Sequence, residues 1–248
     1  MFNTLITDDN TQLAYHHADG AQPGVMFLGG FKSDMTGSKA TALEAHCMQH
    51  DVAFTRFDYL GHGASSGNFT DGTIGQWAQN AIAILDDITA GPQILVGSSM
   101  GGWLMLLAAL ARPQRVAGLI GIAAAPDFTE RLLWAQMNEQ QRHELMEEGV
   151  YYAPSCYGED CYPITRKLIE EGRNHLLLES DIAIHCPIRL IHGMSDPDVP
   201  WQLSTQLAEK LMSDDVDVQL IKSGDHRMSQ PENLSLLCDT LDALRRKL

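Results

Sequence analysis

Gly97-Ser98-Ser99-Met100-Gly101 sets a serine between glycines two positions to either side, after the apolar run Gln93-Ile94-Leu95-Val96 and before an apolar segment that begins at Trp103. A strand that enters a helix through so sharp a turn holds its serine in a strained conformation and projects the hydroxyl. The helix N-terminus then favours negative charge developing beside it. Ser99 is the candidate nucleophile, with Ser98 buried as its neighbour. The pentapeptide alone also fits a Gly/Ser turn without chemistry; its position between strand and helix favours the nucleophile.

A serine hydroxyl needs a base to become reactive. His226, in Lys222-Ser223-Gly224-Asp225-His226, follows the last strand pattern and is the candidate base. An acid after the preceding strand would fix the imidazole tautomer and stabilise its cation. His192-Gly193-Met194-Ser195-Asp196-Pro197-Asp198-Val199-Pro200 offers two, of which Asp196, four residues past His192, is preferred over Asp198. A carbonyl oxygen turning negative needs two backbone N–H donors, each worth about 2.7–4 kcal/mol of transition-state stabilisation. Met100 N–H directly follows the nucleophile, and Phe31 N–H lies in the turn Leu28-Gly29-Gly30-Phe31. His62 and His192 fall in loops at the same end of the sheet and are expected to be structural or lining, whereas His16 and His17 belong to a strand. No pair of histidines shows ligand spacing with a third acidic or cysteine partner, so no metal and no cofactor is expected.

These residues must be carried by an alternation of strands and helices, which argues for a mostly parallel sheet covered on both faces. An opening hairpin pairs Phe2–Thr7 with Gln12–His17 across Asp8-Asp9-Asn10. Strands are expected at Val25–Leu28, Val52–Phe57, Ile94–Val96, Val116–Ile122, Ile188–His192 and Val216–Ile221, eight in all. Ile74, Trp77, Ala78, Ala81, Ile82, Leu85 and Ile88 repeat as one apolar helix face, with Thr73 as N-cap. Further helices are expected at about Thr36–His50, Met100–Ala111, Trp201–Met212 and Glu232–Lys247.

Between Asp127 and His185 the alternation stops. Those 59 residues hold two helical patterns and a Tyr/Cys/Pro-rich middle without a convincing strand, which predicts a helical lid inserted at about 127–185 in a single domain spanning 1–248. Twelve acidic and five basic residues give the insertion −7 of the chain's −15. If that charge faces the entrance, it repels anionic substrates and favours neutral ones or acylated basic protein segments. The overall charge makes nucleic acid and anionic membrane poor partners. Ile88 to Ala111 carries no charge over 24 positions, but Gly91-Pro92 and the Gly97–Gly102 turn divide it into a buried strand and a buried helix rather than a membrane span. The N-terminus lacks a signal-peptide pattern, and the five cysteines (Cys47, Cys156, Cys161, Cys186, Cys238) form no CxxC, so a reducing cytoplasm is expected.

Taken together, these pieces resemble the α/β-hydrolase superfamily over essentially the whole chain, including its Ser…Asp…His order. The segments Phe27–Gly37, Arg56–Gly63, Gly91–Leu106, Cys186–Met194, Val216–Leu220 and Asp225–Met228 are similar to the mitochondrial palmitoyl-protein thioesterase branch, also described as mycophenolic acid acyl-glucuronide esterases. In the insertion the similarity thins to short pieces such as Gly149-Val150-Tyr151 and Tyr157. The resemblance implies a serine hydrolase that cleaves thioesters or esters of small molecules or acylated proteins through an acyl-enzyme, with Ser99, Asp196 and His226 on the motif positions. The same residues also fit a ligand-binding pocket without turnover, or a peroxidase or C–C bond hydrolase.

Overall fold

The computed structural model describes residues 2–153 and 161–248; Cys156 and Tyr157 lie outside them. The opening hairpin forms as expected from β1 (Asn3–Ile6) and β2 (Gln12–Ala18), which pair antiparallel. β3 (Ala21–Leu28), α1 (Ser38–Gln49), β4 (Val52–Phe57), α2 (Ile74–Asp87), β5 (Gln93–Ser98), α3 (Met100–Ala111) and β6 (Val116–Ile122) follow. The insertion contributes α4 (Glu139–Glu148), β7 (Val150–Ala153), β8 (Tyr162–Thr165) and α5 (Arg166–Gly172), and the chain closes with β9 (Ile188–Gly193), α6 (Gln202–Lys210), β10 (Val216–Ile221) and α7 (Pro231–Arg245). Eight strands make one sheet in the order β1-β2-β4-β3-β5-β6-β9-β10, parallel from β4 to β10.

The strands at the sheet centre carry near-continuous apolar runs because both faces are covered. On one face Trp77, Ile84 and Leu85 of α2 and Trp103 and Leu106 of α3 pack against Met26, Leu95 and Leu119; on the other, Leu43 and Cys47 of α1 and Leu237, Leu241 and Leu244 of α7 pack against Val25, Ile94 and Ile120. Thr73 caps α2 as the sequence predicts, its hydroxyl accepting from Gln76 N–H at 3.2 Å. The uncharged Ile88–Ala111 stretch divides at Ser99 into β5 and α3. Among the described residues no helix is long and apolar enough to cross a membrane.

Within the insertion, the expectation of no strand is corrected. β7 and β8 pair antiparallel, with Val150 opposite Thr165 and Tyr151 opposite Ile164. Four-residue strands, one containing Pro163, are too short to show alternation, and proline suits this small edge-bounded pair. The pair closes over a cluster of Met137, Leu145, Ile164 and Ile169, against which Phe31 also packs.

The insertion is tied down where it leaves the sheet. Asp127, in the left-handed region at φ 60°, accepts the backbone N–H of Leu177 at 2.8 Å and of Leu178 at 2.9 Å, bringing together positions 50 residues apart. Trp103 of α3 adds an indole N–H donated to His175 O at 3.1 Å. Removing the Asp127 carboxylate strands two N–H groups. Asp127→Ala is therefore expected to lower the unfolding free energy by about 2–3 kcal/mol. Urea unfolding followed by tryptophan fluorescence measures this, and an unchanged midpoint would show that other contacts hold the insertion.

Candidate active site

Ser99 sits between the last residue of β5 and the first of α3 with φ 53° and ψ −119°, a conformation that a non-glycine residue adopts only when its surroundings impose it. The surroundings here are backbone. Ser99 N–H donates to Ile122 O at 2.9 Å, and Ser99 O accepts from Gly102 N–H at 2.8 Å and Ala125 N–H at 3.1 Å. A Cβ on Gly97 would overlap Gly101 O, and one on Gly101 would overlap Leu28 O, so the turn fits between its neighbours only with glycine at both places. Ser98 is buried, as expected.

The hydroxyl of Ser99 meets His226 Nε2 at 3.1 Å, and His226 Nδ1 meets Asp196 Oδ2 at 2.8 Å. The Asp196 side chain is wholly buried and that of His226 is 15% exposed. Asp196 Oδ1 accepts the N–H groups of Asp198 at 2.8 Å and Val199 at 2.9 Å, so the two acidic residues differ in kind: Asp196 receives the histidine, while Asp198 contributes its backbone to holding Asp196. Burial alone would raise the Asp196 carboxyl. The hydrogen bonds from His192 and His226, with the charge of His226, instead hold it well below the usual carboxylate range.

His192, expected to be structural or lining, is buried and does not line the cavity. Its Nε2 lies 3.1 Å from Asp196 Oδ2 and 3.0 Å from Val199 O, both acceptors, while Nδ1 lies 2.7 Å from the Ser204 hydroxyl. Those partners assign the proton to Nε2, so a second imidazole N–H converges on the oxygen that receives His226. The sequence places His192 at the end of a strand; its partner Ser204, on α6, carries no motif.

Phe31 and Met100 line the cavity above Ser99. Met100 opens α3, where a first-turn N–H has no intrahelical acceptor. A Cβ placed on Gly30 would stand 3.4 Å from Ser99 Cβ, so the Gly29-Gly30-Phe31 turn lies directly against the serine. The Phe31 ring is wedged edge-on against Phe69 (centroids 4.8 Å apart) and Phe128 (5.6 Å). His62 supports the same turn: Lys32 N–H donates to its Nε2 at 3.2 Å, and its Nδ1 lies 3.1 Å from Leu60 O.

The cavity measures about 740 Å3 and is walled by Phe31, Ala125, Phe128, Leu132, Leu133 and Ile164. Its charged lining is Lys32, Asp34, Lys39, Asp198, His226 and Arg227; among the described residues no acid of the insertion contributes. The described acids of the insertion thus give the cavity wall no negative charge, while Glu159 and Asp160 lie outside the described residues. Two of the insertion's acids have partners elsewhere: Glu130 pairs with Arg173 at 2.7 Å, and Glu171 with His175 at 2.6 Å and with the Gly75 N–H of α2 at 3.1 Å. Lys39, whose ammonium donates to Arg227 O, is lowered to about 8 by burial against the opposing charge of Asp225. Burial also pushes the Cys47 thiol up to about 12 and that of Cys186 to about 11, so both stay unreactive thiols near neutral pH.

The chain belongs to the α/β-hydrolase family, whose profile matches residues 25–235. This bears out the expected fold and the expectation of a hydrolase. The mouse protein named palmitoyl-protein thioesterase ABHD10, mitochondrial, is 48% identical over 237 residues, covering 95% of this chain and 80% of the relative. The human protein of that name is 46% identical over 241 residues, covering 97% and 78%. The solved structure of alpha/beta hydrolase domain-containing protein 10 from mouse superposes with a TM-score of 0.93 at 44% identity, covering 100% of this chain and 99% of that one. A putative hydrolase from Agrobacterium vitis gives 0.94 at 38%, covering 98% of each. The resemblance to the thioesterase branch is thus borne out. The cytoplasmic expectation is not: these close relatives are named mitochondrial, and unpaired cysteines do not distinguish one reducing compartment from another.

His62 generates a pH prediction. Burial among Tyr59, Phe69 and Trp77 lowers it from 6.5 to about 4, so the folded protein keeps it neutral while the unfolded chain protonates it. Its contribution to stability is complete above about pH 6.5 and is lost as pH falls toward 4, by up to about 3 kcal/mol. His62→Gln, which retains an acceptor for Lys32 N–H, is expected to flatten the fall in unfolding free energy between pH 7 and 4 by up to that amount. Equal slopes for the two proteins would contradict the assignment.

Proposed function

We propose that this chain hydrolyses carboxylic thioesters and esters through an acyl-enzyme on Ser99. The observation that carries the reading is the continuous hydrogen-bonded line from Ser99 Oγ through His226 to the buried Asp196, beside a cavity of about 740 Å3 with one apolar wall. Ser99 attacks the acyl carbonyl while His226 Nε2 takes its proton. Asp196 holds Nδ1–H and stabilises the imidazolium. The N–H groups of Met100 and Phe31 receive the oxyanion. His226 then protonates the leaving group where needed and activates the water that releases the acid, with no cofactor required.

The apolar wall is the acyl site and the insertion at 127–185 acts as the lid over it within one domain. A free thiol has a pKa of about 8.5, so a thiolate leaves with less protonation than an alkoxide, and a thioester asks less of His226 as an acid. Names of the relatives support a palmitoylated protein as one substrate class, and the wall of Phe31, Phe128, Leu132 and Leu133 suits an acyl chain more than a sugar or a peptide. Partners are therefore acylated proteins or small-molecule esters and thioesters rather than nucleic acid or a membrane.

A matched series of esters and thioesters of increasing acyl length, assayed with wild type and Ser99→Ala, tests the proposal. Wild type is expected to prefer medium to long acyl groups, and Ser99→Ala to lose on the order of 10^4–10^6-fold in kcat while still folding. Turnover retained by Ser99→Ala would contradict it.

A further inference from the structure

At the far end of α1 from Lys39 and the cavity, two imidazoles and a carboxylate converge. His46 and His50 are four residues apart, so they share one face of the helix. Their ring centroids are 4.3 Å apart. Asp242, 196 residues further along the chain, reaches the pair from α7, its Oδ1 2.9 Å from His46 Nε2. Ligand atoms of all three lie within 4.8 Å of one another. No third partner was expected from the sequence because the helix pairing that supplies it joins opposite ends of the chain.

We infer that His46, His50 and Asp242 form a zinc-class divalent metal site that clamps α7 to α1.

The donor set selects the class of ion. Two imidazoles and one carboxylate match zinc and its first-row neighbours, whereas magnesium and calcium ask for sites dominated by oxygen. Around a tetrahedral zinc with bonds of about 2.0–2.2 Å, ligand atoms stand about 3.4 Å apart. The His46–Asp242 pair, at 2.9 Å, must open slightly, and the exposed His50 must close on it. His50 is also prepared for the role: its Nδ1 lies 2.8 Å from His46 O, an acceptor, which places the proton there and the lone pair on Nε2. A ring nitrogen anchored to a carbonyl is the usual outer support of a metal-bound histidine.

The local field acts in both directions. His50 caps α1, and a helix C-terminus favours a cation. Arg245, one turn beyond Asp242, is the cation nearby, and its charge acts on the buried Cys47. Glu44, on the preceding turn of α1, is held by Arg56 at 2.9 Å. The site is separate from the Ser99 cavity, which His46, His50 and Asp242 do not line. α7 starts at Pro231, shortly after His226, so a clamp on α7 would anchor the segment that follows the proposed base.

The test is titration of zinc into the full chain, without a histidine tag, against a chromogenic chelator, paired with thermal unfolding. Asp196, Asp198 and His226 also lie within 4.8 Å of one another and must be separated from the proposed site. One zinc per chain is expected for wild type and for His226→Ala, with affinity weakened by at least about tenfold in His50→Ala and in Asp242→Asn. Zinc should raise the unfolding midpoint of wild type but not of His50→Ala, whose exposed position leaves the fold intact. Ester hydrolysis by zinc-free His50→Ala should equal that of zinc-free wild type. Wild-type affinity in both His50→Ala and Asp242→Asn, or loss of zinc only in His226→Ala, would overturn the inference.

Discussion

The whole site depends on one constraint, the left-handed backbone of Ser99. A serine at φ 53° is disfavoured by itself, and three backbone hydrogen bonds to the β6 region and the start of α3 hold it there. The same turn does three things at once. It lifts the hydroxyl out of the sheet, begins α3 with Met100 N–H unbonded by the helix, and brings Gly101 against Leu28 and Gly29 so that the Phe31 turn closes over the serine. Larger residues at Gly97 or Gly101 would separate the two sides of that arrangement. Packing of Trp103 and Phe128 (centroids 5.8 Å apart) then fixes α3 and the entry to the insertion relative to each other.

A second constraint is electrostatic. The Asp196 carboxylate is removed from water yet kept ionised, because two imidazole N–H groups and two backbone N–H groups converge on its two oxygens. Charge-assisted bonds of this kind are stronger than neutral ones and are most effective where water is excluded. His192 and Ser204 therefore extend the proposed line of three residues to five, and orient an acid whose only exposed neighbour in the line is His226. The cavity that His226 lines carries an apolar wall of Phe31, Phe128, Leu132 and Leu133 beside its charged residues.

What could be read from the sequence was what is local or periodic. The G-x-S-x-G turn, the apolar face of α2 with Thr73 as cap, and the positions of Asp196 and His226 shortly after β9 and β10 each depend on residues near one another in the chain. The preference for Asp196 over Asp198 had the same basis, and the structure separates their roles by hydrogen bonds. Contacts between distant segments were hidden. β7 and β8 are too short to show a period, Ser204 has no motif, and Asp242 meets His46 only because α7 packs beside α1. Total charge was legible but its direction was not: Glu130, Glu171 and Asp127 bind Arg173, His175 and backbone N–H groups rather than lining the cavity. Compartment was misread because thiol spacing reports redox chemistry and not address.

The most direct test of the central claim is to treat the folded protein with a fluorophosphonate and locate the adduct by intact-mass and peptide mass spectrometry. Activation of Ser99 by His226 and Asp196 predicts one stoichiometric adduct on the peptide containing Ser99, strongly slowed by Asp196→Asn and by His226→Ala. A folded protein that remains unlabelled, or that is modified on another residue at the same rate, would contradict it.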